Sequence, residues 1–403
     1  MSSAGLSEAR LARLRDVMAG FVECGEVPGL VALVSRRGET HVEALGLKAL
    51  GGGDPVRRDT IFRIASMTKP ITAVAAMILV EECKLRLDDP VDGLLPELAS
   101  RRVLKRLVGP LDDTEPANRP ITLRDLLTFR MGFGIVMAPP GTYPIQTAVN
   151  ELLLGQGMPE PSLPPGPDEW IRCFGTLPLM HQPGEKWMYH TGSDVLGVLI
   201  ARASGQPFET FLQERIFEPL GMRDTAFSAP ASKLDRLTTA YATNFETGAL
   251  ELYDLAEGGQ WSRSPAFPSG GGGLVSTVDD YLAFGRMMPN QGRHGSWRLL
   301  SRPSVETMTT DHLTPQQKAM SGLVPGDFDA QGWGFGVAVV TRREDMAAPV
   351  GSYGWDGGLG TSWRSDPGED MVTILLTQAS WTSPVPPRVC RDFRTAAYQA
   401  IDD

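Results

Sequence analysis

Strand-forming sequence is concentrated at the two ends of this chain and is scarce in its middle. An amphipathic segment opens the chain, and residues 28–46 follow it as a hairpin of two β-rich stretches. Strand patterns return after about residue 270, and residues 386–401 again have helical periodicity. The simplest assembly is one antiparallel sheet that is built from both ends of the chain and covered by the terminal helices.

The middle of the chain predicts helices that alternate with loops rich in proline and glycine. Residues 138–168 are especially dense in these two residue types and predict a long surface loop or lid. The fold class is therefore α/β (α+β), with an antiparallel sheet and an inserted, mostly helical domain. We assign residues 1–86 and 241–403 to the sheet domain and residues 87–240 to the insertion.

Composition excludes several classes of function. The formal net charge of −10 repels phosphate backbones, so we expect no nucleic acid partner. The chain has no CxxC or HExxH spacing, and we therefore expect no metal or other cofactor. The first residues lack a secretory pattern, and no apolar stretch is long enough to span a bilayer, so we expect a cytoplasmic protein with reduced cysteines.

The first chemical motif is Ser66-Met67-Thr68-Lys69, at the start of a predicted helix. Residues i and i+3 share a helix face, so Ser66 and Lys69 lie side by side. The positive end of the helix disfavours a charged lysine, and a neutral lysine can accept the proton of the serine. The backbone N–H of Ser66 can bind an oxyanion. Alone, the same spacing is equally typical of an N-cap serine and a solvated lysine.

The second motif is Tyr189-His190-Thr191, which follows a turn signal. A tyrosine just before a helix can present its phenol to a pocket and act as a general base if lysine charge lowers its pKa. The alternative is an ordinary half-buried aromatic residue. His190 is a weaker candidate for the base, because the sequence signals no carboxylate partner near it.

The third motif is Trp355-Asp356-Gly357-Gly358. Its glycines would let a substrate approach an edge strand and place a backbone N–H at the carbonyl oxygen. A glycine-rich hairpin turn explains the same residues equally well when they are taken alone.

Together, the stretches IASMTKPITAVAAM, PGE-x-W-x-Y and WDGGLGTS, in this order, resemble the three motifs of the serine β-lactamase and penicillin-binding protein superfamily. The resemblance is strongest to the class C-like branch and to the family VIII carboxylesterases within it. It implies that Ser66 is the acylated nucleophile, that Lys69 and Tyr189 are its bases, and that the N–H groups of Ser66 and Gly358 form the oxyanion hole. The resemblance also implies substrate contacts, which involve Trp355, Asp356, Gly357 and Thr191.

Two departures from the superfamily pattern favour plain esters over β-lactams. Trp355 stands where a β-lactamase usually carries lysine, so no cation pairs with a substrate carboxylate. Losing a charge-assisted contact of about 1.5–3 kcal/mol weakens carboxylate substrates by about one to two decades. Thr191 replaces an asparagine that can both donate to and accept from an acyl amide. There is also no G-x-S-x-G elbow of an α/β-hydrolase.

The sequence therefore predicts a serine hydrolase that cleaves small-acyl carboxylic esters through a Ser66 acyl-enzyme. Within the same chemistry, a β-lactamase, a D-amino-acid peptidase or amidase, and an acyltransferase remain alternatives. A catalytically silent binding protein with the same fold is an alternative of a different class. We expect a small-molecule ester as the partner, no nucleic acid and no membrane, and we allow for a homo-oligomer.

Overall fold

The computed structural model describes residues 5–403, so residues 1–4 of the predicted sheet domain lie outside it. The helices are α1 (Glu8–Glu23), α2 (Thr68–Glu81), α3 (Leu123–Leu127), α4 (Pro144–Glu151), α5 (Pro167–Thr176), α6 (Thr191–Ser204), α7 (Phe208–Leu212), α8 (Glu218–Leu220), α9 (Val278–Met287), α10 (Arg302–Met308), α11 (Pro315–Ala319) and α12 (Arg388–Gln399). The strands are β1 (Gly29–Arg36), β2 (Glu39–Gly46), β3 (Phe62–Arg63), β4 (Arg102–Leu104), β5 (Thr114–Pro116), β6 (Ala240–Thr243), β7 (Leu250–Asp254), β8 (Val275–Ser276), β9 (Arg293–His294), β10 (Trp297–Arg298), β11 (Gln331–Trp333), β12 (Ala338–Val340), β13 (Tyr353–Gly357), β14 (Thr361–Asp366) and β15 (Met371–Thr377).

One seven-stranded sheet joins the two ends of the chain. Its strand order is β11-β12-β13-β14-β15-β1-β2, and the neighbouring strands are antiparallel. The N-terminal strand β1 pairs with the C-terminal strand β15, with Leu33 opposite Ile374. The predicted fold class is confirmed by this sheet and by the helices around it.

Both faces of the sheet are apolar, and each is covered by helices. Along β1, Leu30 packs with the terminal helices α1 and α12, whereas the next residue, Val31, packs with the cluster that contains α2. Successive side chains of a strand point to opposite faces, so a strand that is covered on both sides has no polar positions to alternate. The burial of β1 along its whole length follows from this arrangement.

The predicted insertion shares its core with the sheet. Helix α2 is buried from Thr68 to Leu79, and the same hydrophobic cluster contains Trp170 of α5 and Leu199 of α6. The boundaries at residues 86 and 240 stay a prediction, since a continuous core runs across them.

The stretch predicted as a loop at residues 138–168 contains a helix. Pro144 begins α4 at a position where a missing N–H costs little, and Ile145 and Val149 bury one face of it. Glycine and proline content therefore identified the loop on either side of α4 but concealed the helix. Among residues 5–403, no helix is both long enough and apolar enough to cross a membrane.

Candidate active site

Ser66 lies in a short 3₁₀ turn, Ala65–Met67, that leads directly into α2. The backbone of Ala65 has a φ of 44°, a left-handed conformation that is costly for a residue with a side chain. The hydroxyl of Thr68 donates to the carbonyl oxygen of Ala65 at 2.7 Å and so holds the turn in place. The turn leaves Ser66 partly exposed, in contrast to its buried neighbours.

Lys69 is buried beside the serine. Its Nζ lies 2.8 Å from Oγ of Ser66, and only 1% of the residue is exposed. Burial lowers the pKa of Lys69 to about 7, although the negative charge of Asp194 opposes the shift. A large fraction of the lysine is therefore a neutral amine near neutral pH, and a neutral amine can accept a proton.

Tyr189 approaches the serine from the segment before α6. Its hydroxyl forms hydrogen bonds with Ser66 and with the indole N–H of Trp355, whose Nε1 lies 2.6 Å from the tyrosine oxygen. Burial raises the pKa of Tyr189 well above its usual value, despite both hydrogen bonds. The sequence led us to expect the opposite direction, because it treated the neighbouring lysine as a cation. Tyr189 is a neutral phenol in this site.

An aromatic cluster supports Tyr189. Its ring centroid lies 5.6 Å from that of Trp187, 5.8 Å from that of Phe129 and 5.5 Å from that of Trp355. Trp333 completes the cluster, with its ring perpendicular to that of Trp355 at 4.6 Å. Rings packed in this way fix the phenol, and the N–H of Trp355, which was predicted as a substrate contact, is donated to Tyr189.

The glycines of the third motif have two different environments. A Cβ on Gly357 would lie 2.3 Å from the carbonyl oxygen of Ile64, so this glycine lets β13 pack against the turn that carries Ser66. A Cβ on Gly358 would meet only Sδ of Met158, at 3.9 Å. Gly358 therefore has open space around it, whereas Gly357 is required for packing.

Asp356 is not on the substrate side of β13. Its carboxylate accepts two hydrogen bonds from Arg364, at 2.9 and 2.7 Å, one from Arg394 of α12 at 2.7 Å, and one from the hydroxyl of Ser362 at 2.6 Å. Although burial opposes ionisation, the two guanidinium groups lower the pKa of Asp356 to about 2. The predicted substrate contact of Asp356 is corrected: its carboxylate forms ion pairs on the face of the sheet that α12 covers. Trp355 and Asp356 are consecutive in β13 and therefore point to opposite faces.

Thr191 also has a different partner from the one predicted. Only 1% of the residue is exposed, and its hydroxyl accepts a hydrogen bond from the side chain of Gln156 at 2.6 Å. The carbonyl oxygen of Pro159 accepts one from the hydroxyl of Tyr253 at 2.6 Å. These bonds hold residues 156–159 beside the second motif, with Met158 near Gly358. Thr191 thus anchors the loop rather than facing a substrate.

The structure brings a histidine and an aspartate to Lys69 that the sequence analysis did not combine. Nδ1 of His190 lies 3.2 Å from Nζ of Lys69, and its Nε2 lies 3.2 Å from the carboxylate of Asp194. The spacing of i and i+4 across the start of α6 was the available signal for this pair. Among the described residues, no three His, Cys, Asp or Glu side chains are grouped closely enough to hold a metal ion.

The comparison with protein families agrees with this architecture. The chain belongs to the Beta-lactamase family, whose model matches residues 14–393. The resemblance predicted from the three motifs is confirmed, and the family and its relatives identify the chain as an enzyme of the serine hydrolase type.

The chain is similar to relatives along nearly its whole length. It is 39% identical to "Protein Rv1367c" of Mycobacterium tuberculosis over 88% of this chain and 87% of that protein. It is 28% identical to "Esterase EstB" of Burkholderia gladioli over 92% of this chain and 91% of that protein. The solved structure of "EstCE1, a hydrolase with promiscuous acyltransferase activity" has a TM-score of 0.79 and 27% identity, covering 97% of this chain and 99% of that one.

Proposed function

We propose that this protein hydrolyses small-acyl carboxylic esters through an acyl-enzyme on Ser66. The observation that carries the proposal is the contact of 2.8 Å between Oγ of Ser66 and the buried Nζ of Lys69. A serine that faces a neutral amine in a buried site has a base that can accept its proton, and this base activates the serine as a nucleophile. The neutral phenol of Tyr189 on the other side supplies a proton donor.

In the acylation step, Oγ of Ser66 attacks the carbonyl carbon of the ester and its proton passes to Nζ of Lys69. The backbone N–H groups of Ser66 and Gly358 stabilise the oxyanion of the tetrahedral intermediate. When this intermediate collapses, the bond to the alkoxide breaks and the hydroxyl of Tyr189 gives the alkoxide its proton. The Lys69 ammonium, whose Nζ lies 4.5 Å from the centre of the Tyr189 ring, then gives its proton to the tyrosinate.

Deacylation repeats the sequence with water as the nucleophile. Lys69, neutral again, accepts a proton from the water that attacks the acyl carbon. The bond between the acyl carbon and Oγ breaks, and Ser66 regains its proton from Lys69 by way of Tyr189. The products are a carboxylic acid and the alcohol, and the enzyme returns to its starting protonation state.

Esters are the favoured substrates because the third motif has no cation for a substrate carboxylate. Trp355 presents a ring at this position, and its N–H is donated to Tyr189. "Esterase EstB", at 28% identity over most of both chains, supports the same substrate class. β-Lactams and D-amino-acid peptides, whose carboxylate needs a cationic partner, are weaker candidates.

The decisive experiment compares p-nitrophenyl butyrate with nitrocefin, each with the wild type, Ser66→Ala and the control variant Ser383→Ala. Ser383 is exposed on the surface. We expect ester turnover to exceed nitrocefin turnover by about 10- to 100-fold and to be lost only in Ser66→Ala. Faster nitrocefin turnover would reassign the protein to the β-lactamases, and failure of a fluorophosphonate to label Ser66 would favour a silent binding protein.

Acyl transfer to an alcohol is the second candidate, and the loop at residues 156–159 favours it. Met158 lies near Gly358, and a Cβ on Gly272 would lie 3.1 Å from Pro159, so the loop covers one side of the nucleophile. A cover of this kind limits access of water to the acyl-enzyme. The test adds a simple alcohol to the ester assay: a new ester as the main product supports transfer, and free acid alone supports hydrolysis.

A further inference from the structure

We propose that His190 and Asp194 are a positioning pair that directs the lone pair of Lys69 at the hydroxyl of Ser66. The inference rests on the proposed function, in which Lys69 is the first base. It goes further because it assigns a role to two residues that do not touch the substrate.

Three polar groups of the protein lie within hydrogen-bonding distance of Nζ of Lys69, and the ring of Tyr189 faces it at 4.5 Å. Oγ of Ser66 lies at 2.8 Å, Nδ1 of His190 lies at 3.2 Å, and the carbonyl oxygen of Gly271 accepts a hydrogen bond from the amine. A neutral amine has two N–H groups and one lone pair. Whichever two neighbours accept its N–H groups therefore decide where the lone pair points.

The carbonyl of Gly271 can only accept, so it takes the first N–H of Lys69. His190 takes the second N–H if its Nδ1 carries no proton. The carboxylate of Asp194 faces the other ring nitrogen, Nε2, at 3.2 Å and accepts its proton, which leaves Nδ1 as an acceptor. The remaining direction at Nζ is the one toward Ser66, where the lone pair must be if the lysine is to take the proton of the serine.

Asp194 is itself held in one orientation. Its Oδ1 accepts from the hydroxyl of Ser269 at 2.6 Å and from the backbone N–H of Gly271 at 2.9 Å, while Oδ2 faces His190. The peptide groups of Gly271 thus contact both Asp194 and Lys69. A Cβ at this position would lie 2.9 Å from Cε1 of His190, so only glycine allows the close approach.

The backbone of His190 is strained in a way that fits a functional position. Its φ is 87° and its ψ is −69°, which is the geometry of a rare γ-turn for a residue with a side chain. Such conformations are costly and persist where the surroundings impose them. Here the strain turns the imidazole, only 6% exposed, between Lys69 and Asp194.

The charges around the pair keep the histidine neutral. Burial and the charge of Lys69 lower the pKa of His190, although Asp194 acts in the other direction. Burial favours the neutral acid of Asp194, but His190, Ser269 and the N–H of Gly271 together hold its pKa below the usual value. A neutral imidazole with an ionised carboxylate behind it is the protonation state that the positioning role requires.

The test is Asp194→Asn, which reverses the tautomer of His190. The amide oxygen of the new asparagine must stay with Ser269 and the N–H of Gly271, so its NH₂ group takes the site that faces Nε2. Nε2 then accepts, Nδ1 carries the proton, and two donors face each other between His190 and Lys69. We expect kcat for p-nitrophenyl butyrate to fall about 100-fold with KM within about threefold.

The pH profile separates positioning from a general loss of structure. Asp194 favours the protonated lysine, so its neutralisation moves the acid limb of kcat/KM to lower pH while the plateau falls. The control is Asp280→Asn, which also replaces a buried aspartate with several hydrogen bonds but contacts Asp224 and Thr225 instead. We expect the control to have the kcat of the wild type and the same acid limb of kcat/KM. A kcat within threefold of the wild type in Asp194→Asn would overturn the inference.

A second pair of variants protects the test against misfolding. His190→Asn keeps an acceptor near Lys69 and tolerates a positive φ, whereas His190→Leu has similar bulk and no acceptor. We expect the asparagine variant to retain at least about tenfold more activity. Equal activities would contradict the inference. If the wild type hydrolyses no ester, the proposed function fails, but the rate of Ser66 labelling by a fluorophosphonate still reports the effect of each variant on the nucleophile.

Discussion

Two buried aspartates lie near the motifs of this chain, and their surroundings differ. Asp356 is in the third motif and is paired with two guanidinium groups and a hydroxyl. Asp194 follows the second motif and contacts a neutral histidine, a hydroxyl and a backbone N–H. The sequence predicted a substrate contact for Asp356 and indicated no role for Asp194.

The hydrogen-bond and ion-pair partners of the two carboxylates distinguish one expected to stabilise the fold from one expected to influence the reaction. The charge of Asp356 is compensated by Arg364 and Arg394, which connect strand β14 and helix α12 to β13. The charge of Asp194 is compensated less completely and acts on Lys69, whose pKa it raises against the effect of burial. The first aspartate is therefore expected to control stability and the second to control rate.

The largest effect is expected for Asp356→Asn. The variant leaves two largely buried guanidinium groups, each 17% exposed, without their counter-ion, which costs about 3–5 kcal/mol of unfolding free energy. Urea denaturation measures this loss. The control is Asp392→Asn, which removes an exposed ion pair with Arg388 on the same helix α12 and should cost less than about 1 kcal/mol. Equal losses in the two variants would remove the contrast between Asp356 and an ordinary surface charge.

The pH dependence of stability sharpens the same prediction. The pKa of Asp356 is held at about 2 in the folded chain, below the ordinary value of about 3.9. The ion pair therefore stabilises the protein above about pH 4 and is lost as the pH falls toward 2, a change of about 2 kcal/mol. The difference in unfolding free energy between wild type and Asp356→Asn should shrink by this amount in acid. A constant difference would contradict the assignment.

For the rate, we expect kcat/KM to fall at acid pH because Lys69 becomes protonated. Its pKa of about 7 means that the neutral, reactive amine increases as the pH rises. Since one group titrates, kcat/KM for p-nitrophenyl butyrate should rise about tenfold from pH 6 to 8. Steady-state kinetics over this range are the measurement. A profile that is already flat at pH 6 would mean that burial lowers the pKa of Lys69 further than the contacts of the site indicate.

The smallest effect is expected on the other face of β13, at Trp355. Trp355→Phe keeps an aromatic ring but removes the N–H that binds the oxygen of Tyr189. One hydrogen bond is worth about 0.5–1.5 kcal/mol, so kcat should fall about three- to tenfold with little change in stability. Trp297→Phe, at an exposed tryptophan on β10, is the control. An unchanged kcat would mean that this hydrogen bond does not help to hold the phenol.

Much of the fold could be predicted because its signals are local. The β-rich and helical patterns at the two ends of the chain indicated the antiparallel sheet and the covering helices α1 and α12. The helix α4 was missed, since proline and glycine density outweighed a short apolar face of Ile145 and Val149. Short helices of this kind are held by tertiary packing rather than by propensity, so their sequence signal is weak.

In the site, the predicted residues Ser66, Lys69 and Tyr189 lie together, whereas Asp356 and Thr191 face partners of their own. The resemblance rests on motifs of consecutive residues, which carry no information about the direction in which each side chain points. Consecutive residues of a strand point to opposite faces, and this rule alone would have placed Asp356 on the face opposite Trp355. No local rule predicts the contact between Thr191 and Gln156.

The sequence by itself determined the pair that helical spacing sets, Ser66 with Lys69 at i and i+3. The pair of His190 and Asp194 depends in addition on the positive φ of His190, which the folded chain imposes. Only the tertiary structure decided that the two pairs meet, because Lys69 and His190 are separated by 121 residues. It also decided that the lysine is buried and near neutrality, since desolvation depends on everything packed around it. Spacing along a helix is fixed by the backbone, but dielectric surroundings and long-range partners exist only once the chain has folded.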